Sequence, residues 1–375
     1  MGLLISQLAH YNQAQKKQNK TKNGTPKVPS SQLSTLNSFS HSLLKFTARR
    51  TPTSSYQMET TQTTEGGGGG ATGIAAQMEV EAFRRLFPLP FYKRHLLESV
   101  RPDARALDSA RDTTISLGPV ASADGSALVK IGETVRLSCW VKKAMLAAIK
   151  LEVMTPSKER PDEGSIVVEF YMPPICSPMV RPGRPAEVAP VISKQLLDVI
   201  RSSGMVNLKE LCLISGKASW IAYLDIYCLN ADGSLFDAAL LSAVAAFTHL
   251  QIPLVSVTEE GRVFTVSSEQ EEKTKFELVN KEKRKLSLSS IPFPLTCVIH
   301  EDYILVDPTA EEETVMETSI TLVLDTLGNL VSIYKPGGVG LASTEIMKEC
   351  ITRTKRRMQE LKTILEESVS VMEVD

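Results

Sequence analysis

The chain has 375 residues, 42% apolar and 23% charged, a composition that excludes fibrous and wholly disordered classes and allows one large domain or two modest ones. Its 42 basic and 43 acidic residues nearly cancel, but unevenly: residues 1–58 hold six Lys and two Arg and no acid, leaving 34 basic against 43 acidic residues, about −9, for the remainder. No run of eighteen apolar residues occurs, and the longest candidate, 238–250, is interrupted by Ser242, Thr248 and His249, so a soluble chain without a membrane span is expected.

Residues 1–77 are rich in Ser, Thr, Gln, Asn and Lys and contain the run Gly66 to Gly70. Such a segment buries too little apolar surface to offset chain entropy and is expected to be a disordered basic extension. It also fits an organelle transit peptide or a stretch read from an upstream start, with Met78 a natural beginning. From Val80, the residues Phe83, Leu86, Phe87, Phe91, Tyr92, Leu96 and Leu97 recur at near-helical spacing and predict one amphipathic helix that stops before Pro102.

Apolar alternation then predicts strands at 113–117, 125–131, 146–153 and 165–172, with Asp124-Gly125 as a hairpin turn. Over 186–203 the spacing places Val188, Val191, Ile192, Leu196, Val199 and Ile200 on one helical face, and Gly204 supplies the stop. Strands at 211–214 and 220–229 precede a helix over 238–250 that is apolar all round and so must lie between other elements. The charged run 269–285 reads as a solvated connection, before strands at 295–300, 303–306, 319–324 and 330–334. Ile346, Met347, Cys350, Ile351, Met358, Leu361, Ile364 and Leu365 define a long closing helix that starts after Ser343 or Thr344. The order is that of an α+β fold of two comparable halves, divided as 78–290 and 291–375 after the extension 1–77.

The six cysteines, at 139, 176, 212, 228, 297 and 350, form no CxxC or CxxH pair, which argues against a zinc knuckle or a disulfide framework. Reduced thiols in a cytosolic or nuclear protein are expected. Five scattered histidines give no basis for a metal site. Gly337-Gly-Val-Gly340 lacks the following Gly-Lys-Ser/Thr of a phosphate loop and reads as a turn. His249 reads as a capping or packing residue, and Glu311 to Glu313 as a solvated acidic loop.

Four stretches in order carry a specific likeness: Arg101-Pro-Asp-Ala-Arg105; Asp124-Gly-Ser-Ala-Leu-Val-Lys-Ile-Gly132; Trp220 with Asp225, Asp232-Gly233 and Asp237-Ala238; and Asp307-Pro-Thr-Ala-Glu-Glu-Glu313. Together they resemble the RNase PH family, over about 80–367. Tyr334-Lys-Pro-Gly-Gly-Val-Gly-Leu341 further resembles the ring subunits of the eukaryotic RNA exosome of the noncatalytic type. The resemblance implies an RNase PH-like fold (ribosomal protein S5 domain 2-like), with two βαβα-type halves, mixed sheets and a long C-terminal helix. It further implies a heterodimer within a hexameric ring of RNase PH-like subunits, cap subunits with RNA-binding domains, and RNA threading the channel. It calls for no cofactor and no membrane. A role in ribosomal RNA maturation and messenger RNA turnover, in the nucleus, nucleolus and cytoplasm, goes with it.

Active relatives hold attacking phosphate in a Gly-Thr-Arg cradle, and the resemblance places Ser234, Leu235 and Phe236 there. Phe236 offers neither charge nor donor in place of a guanidinium fork. Of the family's acid pair, Asp307 fits the first position and Glu313, one methylene longer, the second. These degenerate positions imply no catalytic residue and no metal site, hence a structural subunit; the competing expectation is an active phosphate-dependent exoribonuclease. Asp225, Asp232 and Asp237 are expected to cap turns and pair with neighbouring donors, a metal site being the alternative. Arg181-Pro-Gly-Arg184 is the candidate RNA contact, because guanidinium groups bind phosphate by charge and fork geometry. Residues 135–145 interrupt what the family writes as one strand. Burial of Arg136, Trp140, Lys142 and Lys143 in a central strand would be costly, so this insert is expected either to bulge out at a strand end or to be intronic sequence retained in the gene.

Overall fold

The computed structural model describes residues 71–132, 143–253, 255–257, 263–265, 277–278, 284–316, 318–338, 340 and 342–374. Two helices open it, α1 (Ala71–Leu86) and α2 (Pro88–Leu97), where the spacing predicts one. The break is Phe87, because Pro88 has no amide to continue the ladder and is suited only to a first turn. Phe91, Tyr92 and Leu96 are buried against Val298, Leu305 and Met316, which docks the pair on the second half of the molecule.

The first sheet contains β1 (Thr113–Leu117), β2 (Gly125–Ile131), β3 (Lys143–Met154), β4 (Ser165–Tyr171), β5 (Cys212–Ile214) and β6 (Ala218–Asn230), with α3 (Val188–Ser203) between β4 and β5. Its order is β1-β2-β3-β6-β4, with β5 on β6. Only β4 runs parallel to its neighbour. Along β6 the alternate residues Trp220, Ala222, Leu224, Ile226 and Cys228 are wholly buried, as a period of two requires of a central strand with one covered face. Helix α3 ends at Gly204, whose φ of +66° is the left-handed stop the sequence predicts. Its buried face is Ala189, Ile192, Leu196, Val199 and Ile200; Val188 and Val191 sit at the margin and are about half exposed.

Helix α4 (Leu235–His249) is the centre of the molecule, with every residue from Asp237 to Phe247 buried. It packs on the first sheet and on the second, as an element apolar all round must. Gly125 explains the closeness of that packing. A Cβ on it would lie 2.7 Å from the Ala246 carbonyl oxygen and 2.9 Å from the Leu250 Cα. Gly125 is therefore the first residue of β2, facing helix backbone, rather than half of a tight hairpin turn. At the helix end the Ser126 amide donates to His249 Nδ1 at 3.1 Å, and burial lowers the imidazole pKa.

Short strands follow: β7 (Gln251–Ile252), β8 (Val255–Val257), β9 (Val263–Thr265), β10 (Glu277–Leu278) and β11 (Arg284–Lys285). The rest of the predicted connection 269–285 lies outside the described residues. The second sheet is antiparallel, in the order β13-β12-β14-β15, from β12 (Phe293–His300), β13 (Tyr303–Val306), β14 (Thr318–Leu324) and β15 (Leu330–Tyr334). Between β13 and β14 lies α5 (Ala310–Val315), where the sequence suggests only a solvated acidic loop. Thr309 and Glu312 form a reciprocal capping box that nucleates it, and Glu312 is buried. The closing helix α6 (Thr344–Val374) buries Cys350, Thr354, Met358, Leu361 and Leu365 at steps of three and four. The five described cysteines are free thiols, and among the described residues no helix is long and apolar enough to cross a membrane.

Replacing Gly125 with Ala forces a Cβ into the α4 backbone and should lower unfolding free energy by about 1–3 kcal/mol. A urea midpoint that falls at unchanged slope is the expected outcome.

Candidate functional site

The turn from β6 into α4 and the segment that follows β13 are stapled together. Gly233 has a φ of +57°, and a Cβ there would lie 2.3 Å from the Pro308 carbonyl oxygen, so only glycine allows the approach. Across the same contact the Ala310 amide donates to Asp232 Oδ1 at 3.0 Å. The Ser234 amide donates to Glu313 Oε1 at 2.7 Å.

Asp307 sits at the middle of this junction, buried and in the left-handed region at φ +50°. Its Oδ2 accepts from the Arg111 amide at 3.0 Å and Arg111 Nε at 2.7 Å. Its Oδ1 accepts from Arg111 Nη2 at 2.8 Å and Lys143 Nζ at 2.7 Å, while Arg105 Nη1 stands 3.5 Å from Oδ2. A carboxylate offers about four lone-pair sites, and the donors around this one already fill them. Burial by itself would raise the Asp307 pKa, but Lys143 and Arg111 overcome it and hold the group well below the usual carboxylate range. Arg111 bridges onward to Asp232 Oδ2 at 2.5 Å and to the Pro308 carbonyl at 3.0 Å. Arg101, buried beneath, donates to the Leu107 and Val306 carbonyls and faces Glu312 at 3.6 Å.

Two further acids lie beside the cluster. Asp237 accepts from the Thr296 amide at 2.7 Å and its hydroxyl at 2.9 Å; burial pushes its pKa up to about 6. Burial likewise raises Glu313, against the pull of the Ser234 amide. The Lys143 charge acts on Asp237, Asp307 and Glu313 alike, so a fixed ammonium stands amid the acids. Among the described residues no group of three or more His, Cys, Asp or Glu is placed to hold a metal ion.

The structure thus brings Asp307, Glu313, Asp232 and Asp237 together at one end of α4. It does not bring Phe236 among them. Its ring is half-buried in an apolar groove of about 600 Å³ with Val191, Val323, Val331 and Tyr334. One cation, Lys194, lines that groove, accompanied by Asp198. Asp225 lies on the outward face of β6, paired across from Ala148. Arg181 and Arg184 are exposed in the loop after β4, where Gly183 at φ +79° turns the chain, and neither lines the groove.

Lys143 is where the sequence-based expectation fails. Arg136, Trp140 and Lys142 lie outside the described residues, but Lys143, Ala144 and Met145 do not bulge outward. They begin β3, with Lys143 paired across from Ile131. Its side chain is fully buried beside Asp307, which offsets part of the penalty, while burial still lowers the Lys143 pKa. Arg111 was missed as well; the signal available was a basic residue two positions before a strand and six beyond Arg105.

Asp307→Asn leaves Lys143 buried without its ion-pair partner and Arg111 with Asp232 alone, and should cost about 3–5 kcal/mol of stability, read by denaturant unfolding. Asp237 predicts a pH effect of a defined sign. Its folded pKa of about 6 exceeds the ordinary aspartate value of 3.8, so the folded state binds more protons between those values and stability from this group falls as pH rises through that window. Asp237→Asn keeps an acceptor for the Thr296 amide and should remove that fall, about 3 kcal/mol.

The 3′ exoribonuclease family matches this chain in both of its domains, domain 1 (RNase_PH) over residues 109–253 and domain 2 (RNase_PH_C) over residues 290–357. The exosome complex component rrp43 of Schizosaccharomyces pombe is 32% identical over 270 residues, 72% of this chain and 92% of that protein. Exosome complex component Rrp42 of Thermococcus gammatolerans is 32% identical over 275 residues, 73% and 92% of the two chains. Among solved structures, a chain of the Archaeoglobus fulgidus exosome with RNA bound to the active site superposes at a TM-score of 0.61 and 26% identity, covering 76% of this chain and 98% of that one. Those matches span the first sheet, the stapled turn, the acidic cluster and the second sheet, and the chain belongs to the RNase PH family of 3′ exoribonucleases and is a homologue of exosome ring subunits.

Proposed function

We propose that this chain is a noncatalytic, RNA-guiding subunit of an exosome ring. The observation that carries the proposal is the state of the acid pair: Asp307 is saturated by Arg111 and Lys143, and Glu313 takes the amide of Ser234. A general acid or base needs a proton position it can exchange with substrate, and an anion cradle at a helix N-terminus needs its amides unoccupied. Here the chain's own carboxylate accepts from that amide, and Phe236 adds no cation. In this proposal no cofactor is needed, and the partners are other RNase PH-like subunits, as a heterodimer and hexameric ring, with cap subunits carrying RNA-binding domains. The assembly acts in ribosomal RNA maturation and messenger RNA turnover, in the nucleus, nucleolus and cytoplasm. Arg181 and Arg184 meet RNA phosphates.

Incubated with poly(A), phosphate and magnesium, the purified chain should release no nucleoside diphosphate. Release that Asp307→Asn abolishes would make it an active phosphorolytic enzyme and end the proposal. In the assembled ring, Arg181→Gln with Arg184→Gln should weaken RNA binding in a sequence-independent way and reduce the salt slope by about two, read by filter binding.

A further inference from the structure

Beside Arg111, residues 108–112, Val306 and helix α6 line a polar cavity of about 400 Å³. Arg353, Arg356 and Arg357 enter it from one turn of α6, with Arg111 also in the wall. Two of these guanidinium groups are anchored from behind by neutral acceptors. Arg353 Nη1 donates to the Ile304 carbonyl at 2.6 Å. Arg357 Nη2 donates to the Arg111 carbonyl at 3.1 Å and to Thr113 Oγ1 at 2.6 Å. A carbonyl or hydroxyl fixes a guanidinium in place without cancelling its charge, so the two are held in position with their rotamer freedom already lost.

What faces the three cations on the outer side is different in kind. Glu349 at 3.1 Å from Arg353, Asp108 at 3.1 Å from Arg356 and Glu360 at 2.8 Å from Arg357 have side chains 55%, 48% and 50% exposed. Exposed ion pairs of this sort contribute about 0–1 kcal/mol each, so the carboxylates are readily exchanged for another anion. A tetrahedral phosphate meets several guanidinium groups at once, with the fork geometry that a carboxylate on a flexible stem uses less fully. We propose that this cavity is a phosphate-binding site, taking either free inorganic phosphate or a phosphate of an RNA backbone, with Arg353, Arg356 and Arg357 as its donors and Asp108 as a displaceable internal anion. The site is separate from the loop of Arg181 and Arg184, and it stands whether or not the chain is noncatalytic.

Inorganic phosphate titrated calorimetrically into the full chain at low salt should bind. Arg356→Gln should weaken it about tenfold, the value of one charge-assisted hydrogen bond. Asp108→Asn should tighten it severalfold, an effect no loss of structure imitates. Neither variant should shift the unfolding midpoint without ligand, because the pair they break is exposed. A (rA)₉ oligonucleotide that competes with phosphate in the wild-type chain, and less well in Arg356→Gln, identifies backbone phosphate as the ligand; binding without competition identifies free phosphate. No phosphate binding, or an affinity equal in all three proteins, overturns the proposal.

Discussion

The pairing of Asp307 with Arg111 is the interaction on which the rest of the molecule depends. Arg111 lies just ahead of the first strand and Asp307 just after the thirteenth, so their contact closes the first sheet against the second. Asp232, at the turn into the central helix, joins through the same guanidinium. Two opposite charges buried together are weak evidence of net stability, since desolvation offsets much of their attraction. They do penalise every arrangement in which one of them is buried alone. The cluster therefore specifies how the halves meet, and the apolar faces of α4 supply the bulk of the burial.

A site of this composition holds its charges in internal balance. Acids that a catalytic centre would keep available are occupied by Arg111, Lys143, Thr296 and the Ser234 amide. The position where the α4 N-terminus would favour an external anion is met by Glu313, so the helix end has an anion before any ligand arrives. The phosphate cavity formed by α6 differs in the exposure of its acids. There the acids are at the surface and weakly held, and the guanidinium groups behind them are fixed by uncharged acceptors. The two sites of one chain thus differ in whether their counter-ions are buried or exposed.

Much of the fold is legible from periodicity. The strands at 113–117, 125–131, 303–306 and 330–334 have the predicted bounds, and the buried central helix follows from its lack of a polar face. The short helix at 310–315 was legible too, since Thr309 and Glu312 have the spacing of a capping box; the run of acids obscured it. Val188 and Val191 show the limit of helical counting. Spacing identifies a stripe, but which of its margins is covered depends on a neighbour that spacing does not name.

By itself the sequence determined the family and the order of the main strands and helices, because each of these is carried by residues near one another in the chain. Only the tertiary structure decided what the acids do. Asp307 and Lys143 are 164 positions apart, and Asp307 and Arg111 are 196 apart; the ionisation of such groups depends on the burial and charge that folding brings to them. A lysine that is costly in a central strand when considered alone becomes tolerable once a carboxylate lies 2.7 Å away, and that proximity is a property of the closed molecule.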